Sequence, residues 1–248
     1  MSFIHYRTQG LVLSKEEKGE KDQVFNLFTE EFGYLEILGK GIRKITSKLR
    51  PNMELFSFSE IEFIQGKIHK TLTDAILIEK FKNIKKDFQR LETIFKIAEI
   101  INFFSNQEEK DKKVWDLLIK TFQELDKPNL SIDQVSLIFL FFFWNFISLM
   151  GYKPELYLCS QCQKKLLPET LWFNPQQGEI LCWRCLKNFS QEELKLEEIK
   201  VETIKFLRIL VEGNWKFLNH FQIEKDVLQN LEKISSSYYT FFNKEIRK

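Results

Sequence analysis

The chain has 248 residues, 44% of them hydrophobic, and its 37 basic residues nearly balance its 35 acidic residues. This length and apolar content suffice for a packed core, in one large domain or in two to three small ones, and they exclude a disordered chain. Nine glycines and five prolines, with no repetitive or Ser/Pro/Gly-rich tract, argue against long linkers and against a solenoid.

Residues 1–76 are predicted to form a small all-β domain. Five short segments rich in β-branched and aromatic residues lie between turn residues: GLVLS, VFNLFTE, YLEILGKG, LFSFSEIEFIQ and KIHKTLT. In the fourth segment, the alternation of Phe56 and Phe58 changes phase before Ile61 and Phe63, which predicts a β-bulge that curls the sheet. Five strands in this length favour an OB-like barrel, although a small SH3-like barrel fits the same periodicity.

A basic segment follows the third predicted strand, at residues 38–51. It contains five cations and no acidic residue: Lys40, Arg43, Lys44, Lys48 and Arg50. One interpretation is a lysine-rich loop that only keeps the surface soluble. The alternative is a contact with single-stranded nucleic acid, since loops of OB-like barrels commonly hold single strands and cations bind phosphate. Tyr6, Phe32 and Tyr34 are candidate stacking faces, or else core residues of the barrel.

The remaining chain, residues 77–248, is predicted to be α-helical, because its apolar residues recur three and four positions apart. The first such stripe comprises Phe88, Leu91, Phe95, Ala98 and Ile101. Two more helices are predicted at residues 198–212 and 225–244.

The most apolar segment, residues 135–150, is 16 residues long and is interrupted by three polar residues. A bilayer span needs about 20 residues, so this segment is predicted to be a buried central helix rather than a membrane span. Ser131 and Gln134 can form a capping box at its start, and Gly151 is a natural terminator. The first residues of the chain also lack the pattern of a secretory signal, so we expect a cytoplasmic protein without membrane contact.

All four cysteines lie in a small insert, residues 157–189, within the helical part. Cys159 and Cys162 form one Cys-x-x-Cys pair, and Cys182 and Cys185 form another, with nineteen residues between the pairs. Two such turns supply the four thiolates that tetrahedral zinc prefers, and the intervening residues predict a β-hairpin. A closed thiolate shell leaves no open position for water, so we expect one structural zinc ion. Another metal such as iron, or a redox function, are the alternatives, although the βαβ context of a thioredoxin-like site is absent.

The sequence contains no motif that indicates catalysis. A phosphate-binding GxxxxGK[ST] loop is absent. His5, His69 and His220 are far apart and belong to no metal or triad pattern. We therefore expect that the protein is not an enzyme.

Five short motifs occur in order within the barrel segment: QGLVLS, KGEKDQV, LFTEEFG, GKGIRK and SKLRP, at residues 9–14, 18–24, 27–33, 39–44 and 47–51. Together with the helices and the four-cysteine insert that follow, they resemble the RecO family of bacterial DNA repair and recombination mediators. The chain departs from that pattern at Lys18, where the family's turn has a tyrosine.

The resemblance implies an α+β multidomain protein, with an N-terminal OB-fold barrel and an α-helical domain that carries an inserted four-cysteine zinc module. It implies a nucleoid-associated protein that binds single- and double-stranded DNA and anneals complementary strands. It also implies partnership with RecR and with the single-strand DNA-binding protein. It further implies help in loading the RecA recombinase onto gaps that are covered by the single-strand DNA-binding protein. DNA contact carries over to the basic segment: Lys40, Arg43, Lys44, Lys48 and Arg50.

Two further hypotheses stand beside this one. The first is a zinc-containing protein-interaction adaptor without direct DNA binding, in which the basic segment only solubilises the chain. The second is a zinc-ribbon subunit of an enzyme that acts on nucleic acid. The adaptor predicts little affinity for DNA at low salt, and the enzyme subunit predicts a turnover for which the sequence supplies no catalytic group.

Overall fold

The computed structural model describes residues 4–104, 109–187, 195–218 and 223–245. The chain divides into two compact units, Met1–Leu130 and Ser131–Lys248. The domain division at residues 76 and 77 stays a prediction, and the predicted end of the cysteine insert, residue 189, lies outside the described residues.

The first unit contains a closed five-stranded barrel. Its strands are β1 (His5–Lys18), β2 (Asp22–Thr29), β3 (Gly33–Gly39), β4 (Phe58–Gln65) and β5 (Lys70–Glu79). The strand order is β1-β2-β3-β5-β4, and β1 pairs antiparallel with both β2 and β4. The barrel closes through a parallel contact between β3 and β5, where Ile37 pairs with Lys70 and Leu38 with Thr71. This architecture confirms the predicted OB-like barrel.

The bulge predicted in the fourth strand is wrong. The register of β4 against β5 shifts at two places, but the extra residue lies in β5 each time, at Ile78 and at Thr73. Strand β4 itself alternates without interruption, and Ile61 and Phe63 are buried in the barrel. The change of phase in the sequence arises because Phe56 lies in the connection before β4. Phe58 lies on the opposite face of β4 from Ile61 and contacts Trp115, with the ring centroids 5.8 Å apart.

The barrel interior is a single apolar cluster. Its buried members are Val12, Phe25, Leu27, Leu35, Ile37, Ile42, Met53, Ile61, Phe63, Leu72 and Ala75. Nine of these come from the strands, whereas Ile42 and Met53 come from the connection between β3 and β4. That connection is therefore part of the packed core as well as part of the surface.

Three helices pack within the same unit: α1 (Lys82–Lys86), α2 (Phe88–Phe104) and α3 (Lys112–Leu125). Phe56 packs against Phe95 of α2 and Phe122 of α3, with ring centroids 4.9 and 6.2 Å apart. Gly33 has a φ of +62°, and a Cβ atom there would lie 2.1 Å from the carbonyl oxygen of Glu109. Glycine is required at this turn because both the backbone conformation and the close approach exclude a side chain.

The helix predicted from the apolar stripe of Phe88 to Ile101 is confirmed by α2. The stripe is only partly buried, since Ala98 and Ile101 are buried but Phe88 is 80% exposed and Phe95 is 49% exposed. The buried face is instead formed with Ile94 and Ile97. Both sets are spaced three and four residues apart, so periodicity alone could not distinguish them, and packing in the unit decided which face is covered.

The second unit combines helices with a small sheet. Its helices are α4 (Ile132–Leu149), α5 (Trp183–Leu186), α6 (Val201–Val211), α7 (Trp215–Leu218) and α8 (Lys225–Glu245). Its strands are β6 (Leu171–Asn174), β7 (Glu179–Cys182) and β8 (Glu197–Ile199), in the order β7-β6-β8. The predicted hairpin between the cysteine pairs is confirmed by β6 and β7. The helix predicted at residues 198–212 begins only at Val201, because residues 197–199 pair with β6.

Helix α4 is the central helix of this unit. The predicted capping box is present, since Ser131 accepts from the Gln134 N–H and the Gln134 side chain accepts from the Ser131 N–H. Within the part of the chain that the structure describes, α4 is the one helix long and apolar enough to span a membrane, and 56% of it is buried inside the protein. Trp144 is fully buried and donates its indole N–H to Ser235 of α8 at 2.8 Å. These contacts confirm a buried central helix.

Candidate nucleic-acid interface and metal centre

The five predicted DNA-contact residues all lie in the connection between β3 and β4, which we call the basic loop (residues 40–57). Two backbone contacts fix its start. The Gly41 N–H donates to the Asp22 carboxylate at 2.7 Å, and the Arg43 N–H donates to the Lys21 carbonyl at 3.0 Å. Ile42 between them is 1% exposed in the barrel core. The basic loop is thus held at its base to the β1–β2 hairpin.

Arg43 takes part in this anchoring through its side chain. Its guanidinium donates to the Gly19 carbonyl at 3.0 Å and lies 2.9 Å from the Glu17 carboxylate. The charge of Arg43 is therefore partly offset, and the residue holds the basic loop against the hairpin.

The other four cations of the set are exposed: Lys40, Lys44, Lys48 and Arg50. Within the described residues, none of them forms a side-chain hydrogen bond or an ion pair. A surface with four unpaired cations on one tethered loop attracts a polyanion, and no existing ion pair has to be broken when the polyanion binds. The structure therefore places all five predicted residues on one loop. Arg43 differs from the other four because its side chain already has partners within the protein.

The candidate stacking residues Tyr6 and Phe32 belong to the barrel. The Tyr6 ring stacks on Phe63 with centroids 5.3 Å apart, and Phe32 meets Phe63 edge-on at 5.5 Å. Tyr34 is partly buried in β3, and burial, followed by the charges of Glu36 and Glu16, raises the pKa of its hydroxyl. The packing of Tyr6 and Phe32 makes them core residues.

Sequence reasoning missed a groove of about 770 Å³ beside the basic loop. Arg43 and Arg50 of the loop line it, together with Lys15 of β1, Lys85 of α1 and Phe95 of α2. The sequence offered no signal for it, because the spacing that places Phe95 on a helix does not show whether its ring is exposed.

The four cysteines converge on one point. The Sγ atoms of Cys159, Cys162, Cys182 and Cys185 all lie within 4.8 Å of one another, and none forms a disulfide. Three of the four are buried. Four thiolates around Zn²⁺ at about 2.3 Å per bond would stand about 3.8 Å apart, which is compatible with this limit. The residues therefore fit a tetrahedral metal ion.

The local fold presents each thiol to this point. The chain around Cys159 docks on β7, where the Ser160 N–H donates to the Ile180 carbonyl at 3.0 Å. The Cys182 N–H points at the Cys159 sulfur at 3.5 Å. Burial acts to raise the pKa of Cys159, but N–H groups, including that of Cys182, outweigh it and lower the pKa to about 7. Peptide N–H groups thus favour the thiolate form that binds metal.

The remaining candidate side chains are dispersed. His5 lies 2.7 Å from Glu62, and His69 lies 2.9 Å from Lys18. The third histidine, His220, lies outside the described residues. Apart from the four cysteines, the described parts of the chain contain no comparable group of potential metal ligands.

Comparison with known proteins covers most of the chain. Residues 1–81 match the family model "Recombination protein O N terminal", and residues 85–241 match "Recombination protein O C terminal". The chain is 31% identical over 227 residues to "DNA repair protein RecO" of Dehalococcoides mccartyi, covering 92% of this chain and 86% of that protein. It is 26% identical to the protein of that name from Acetivibrio thermocellus, and the match covers 94% of this chain and 90% of that protein. An OB-like barrel, a helical unit with four clustered cysteines and these matches over most of the chain establish that it belongs to the RecO family of DNA repair proteins.

Proposed function

We propose that this protein is a recombination mediator that binds single- and double-stranded DNA through the basic loop and anneals complementary single strands. The observation that supports this most directly is the set of exposed, unpaired cations on a loop whose base is fixed: Lys40, Lys44, Lys48 and Arg50. An annealing protein must hold each strand by its phosphates and leave the base edges free to pair. A basic loop does this better than a base-reading helix would.

The proposal extends to the partners that the family implies. We propose that the protein acts with RecR and with the single-strand DNA-binding protein, and helps to load RecA onto gaps that the latter covers. It would do so in the cytoplasm as a binding protein and not as an enzyme. The four cysteines would hold one zinc ion, whose closed thiolate shell has a structural role.

Salt dependence tests the electrostatic part of this proposal. Four to five phosphate contacts on single-stranded DNA give a slope of log affinity against log salt of about −2.8 to −3.5. Affinity should then fall roughly 50- to 100-fold between about 50 and 200 mM salt. The measurement is fluorescence polarisation of a labelled oligothymidine across a salt series.

The variant Lys40→Gln/Lys44→Gln/Lys48→Gln removes three exposed charges without touching the anchors of the loop. We expect its slope to be shallower by about 2, because each lost phosphate contact removes about 0.7. The matched control, Lys113→Gln/Lys205→Gln/Lys225→Gln, removes the same charge from exposed positions elsewhere. The control should keep the slope of the unmodified protein.

Equal slopes for the two triple variants would contradict DNA binding at the basic loop. Absence of DNA binding by the unmodified protein at low salt would favour the protein-interaction adaptor. Strand annealing, followed by the fluorescence of two complementary labelled oligonucleotides, should be slowed by the loop variant and not by the control.

A further inference from the structure

The groove beside the basic loop has not been given a role by the proposed function. Its volume of about 770 Å³ lies in the range of clefts that hold organic ligands. It lies within the first unit and is lined by parts of β1, the basic loop, α1 and α2. Arg43 and Arg50 belong both to the basic loop and to the wall of this groove. A chain held on the loop can therefore continue into the groove without crossing uncharged surface.

The charge of the groove favours an anionic ligand. Four cations line it, namely Lys15, Arg43, Arg50 and Lys85, against Glu17 and Glu54. Both acidic residues already have partners in the groove, since Glu17 pairs with Arg43 at 2.9 Å and Glu54 with Lys85 at 3.5 Å. Lys15 and Arg50 form no ion pair within the described part of the chain. The net positive charge of the groove is thus unpaired.

The groove also contains an accessible aromatic ring. Phe95 is 49% exposed, although it packs edge-on against the buried Phe56 at an interplanar angle of 78°. Leu91, one turn earlier in α2, lines the groove beside it. An aromatic ring held on a helix next to cations suits a single nucleic-acid strand. Each base can stack its flat face on the ring while the adjoining phosphates lie near the cations.

We infer that this groove binds the nucleotides of a single DNA strand that continue from the basic loop, with Lys15 and Arg50 near phosphates and Phe95 stacked on a base. The inference rests on the proposed function and deepens it. It requires an unpaired strand, since bases within a duplex are stacked on each other and cannot reach Phe95. The groove would therefore distinguish single-stranded from double-stranded DNA, whereas the basic loop would bind both.

The first test replaces the aromatic ring. Phe95→Ala should weaken the binding of labelled oligothymidine roughly 5- to 150-fold, the range for loss of one base–aromatic stack. Phe88→Ala is the matched control, because Phe88 lies on the same helix, is 80% exposed and does not line the groove. Binding of a blunt-ended duplex should be unchanged in both variants, and that result also verifies that Phe95→Ala leaves the fold and the basic loop intact.

The second test addresses the phosphates. Lys15→Gln should make the salt slope for oligothymidine shallower by about 0.7, whereas Lys18→Gln should leave it unchanged. Lys18 lies on the same strand, is exposed and does not line the groove. Photocrosslinking with an oligonucleotide that contains iododeoxyuridine should identify the peptide that carries Phe95.

The outcomes separate this inference from the proposed function. If the basic-loop variant loses DNA affinity while Phe95→Ala and Lys15→Gln bind oligothymidine normally, the groove is not part of the DNA path and the inference fails alone. If neither set affects DNA binding, the proposed function fails as well. A labelled peptide of alternating glutamate and phenylalanine serves as a further probe. If that peptide loses affinity in Phe95→Ala while DNA does not, the groove binds an acidic protein segment and the inference is overturned.

Discussion

Glu124 is a buried carboxylate that pairs with two lysines. It lies near the end of α3 with 6% of its side chain exposed, and its carboxylate is 3.0 Å from Lys120 and also bonded to Lys127. Burial acts to raise the pKa of Glu124, but the hydrogen bonds from Lys127 and Lys120 and their charges outweigh it, so the pKa is lowered. The ionised form is thus favoured in the folded protein.

Replacing this carboxylate should make stability less dependent on pH. We expect Glu124→Gln to lower the free energy of unfolding by about 1 kcal/mol at pH 7, because both lysines lose a charged partner. A lowered pKa contributes stability above the unfolded value of about 4.3, and that stability is lost as the pH falls through the folded pKa. The difference between the variant and the unmodified protein should therefore shrink as the pH falls below about 4.3 and disappear only below the folded pKa. Urea unfolding at several pH values measures it.

Glu92→Gln is the control for this experiment. Glu92 pairs with Lys96 at 2.8 Å, but both side chains are at least half exposed, so the loss should be close to zero. A pH-independent difference for Glu124→Gln would mean that the carboxylate contributes through packing and not through its charge.

At the scale of residues, the sequence predicts which side chains carry charge but not which of them are already paired. The cations of the basic loop were evident from composition alone. The pairing of Arg43 with Glu17 was not evident from the sequence, because it depends on how the β1–β2 hairpin packs against the basic loop in the folded barrel. The exposure of Phe95 likewise depends on the rotation of α2 about its axis, which apolar spacing leaves open.

Among the elements, the two cysteine turns and the hairpin between them form the module that most depends on a ligand. Short strands and a one-turn helix bring the thiols together: β6, β7 and α5 contain four residues each. Elements of this length bury little apolar surface and rely on a metal ion or on their neighbours for stability.

Removal of the metal ligands should therefore unfold this module. We expect Cys182→Ser to lose bound zinc and to lower the melting temperature of the second unit, because zinc binding and folding of such a site are coupled. Ser160→Ala is the control, since Ser160 lies beside Cys159 but contributes no ligand atom to the cluster. Metal analysis of the purified proteins and thermal unfolding provide the two readings. A metal-free Cys182→Ser variant with unchanged melting would contradict a structural metal.

Local sequence predicted this hairpin but not the third strand beside it. The turn residues and the Cys-x-x-Cys spacing define β6 and β7 from residues close in the chain. Strand β8 comprises Glu197, Glu198 and Ile199, a run without alternation that also suits the start of a helix. Its conformation comes from pairing with β6, a contact between distant parts of the chain, and tertiary contacts of this kind override local preference.

For the whole molecule, the compact units do not follow the family models. The models meet near residues 81 and 85, whereas the first compact unit extends to Leu130. The helices α1 to α3 cover apolar surface of the barrel segment, and Phe56 and Phe81 are buried with Phe122. The barrel segment and these helices therefore bury aromatic side chains against each other.

This predicts different behaviour for two fragments. Residues 1–130 should fold alone and unfold cooperatively in urea, because they form one compact unit with its own buried core. Residues 1–81 should be unstable or aggregate, since Phe56 and Phe81 lose their partners and become exposed. Circular dichroism and the dispersion of amide resonances distinguish the two outcomes. A cooperative, well-dispersed fragment 1–81 would show that the barrel is independent of the helices.

The parallel contact between β3 and β5 closes the barrel through two residue pairs, while β1 and β2 share eight. Local opening costs the least free energy where the fewest contacts must break. We therefore expect the barrel to open first at the seam between β3 and β5, beside Leu38. The basic loop leaves β3 two residues beyond Leu38. A polyanion that binds the closed loop and not the opened one stabilises the seam by mass action. Occupancy of the loop and integrity of the barrel are thus thermodynamically linked.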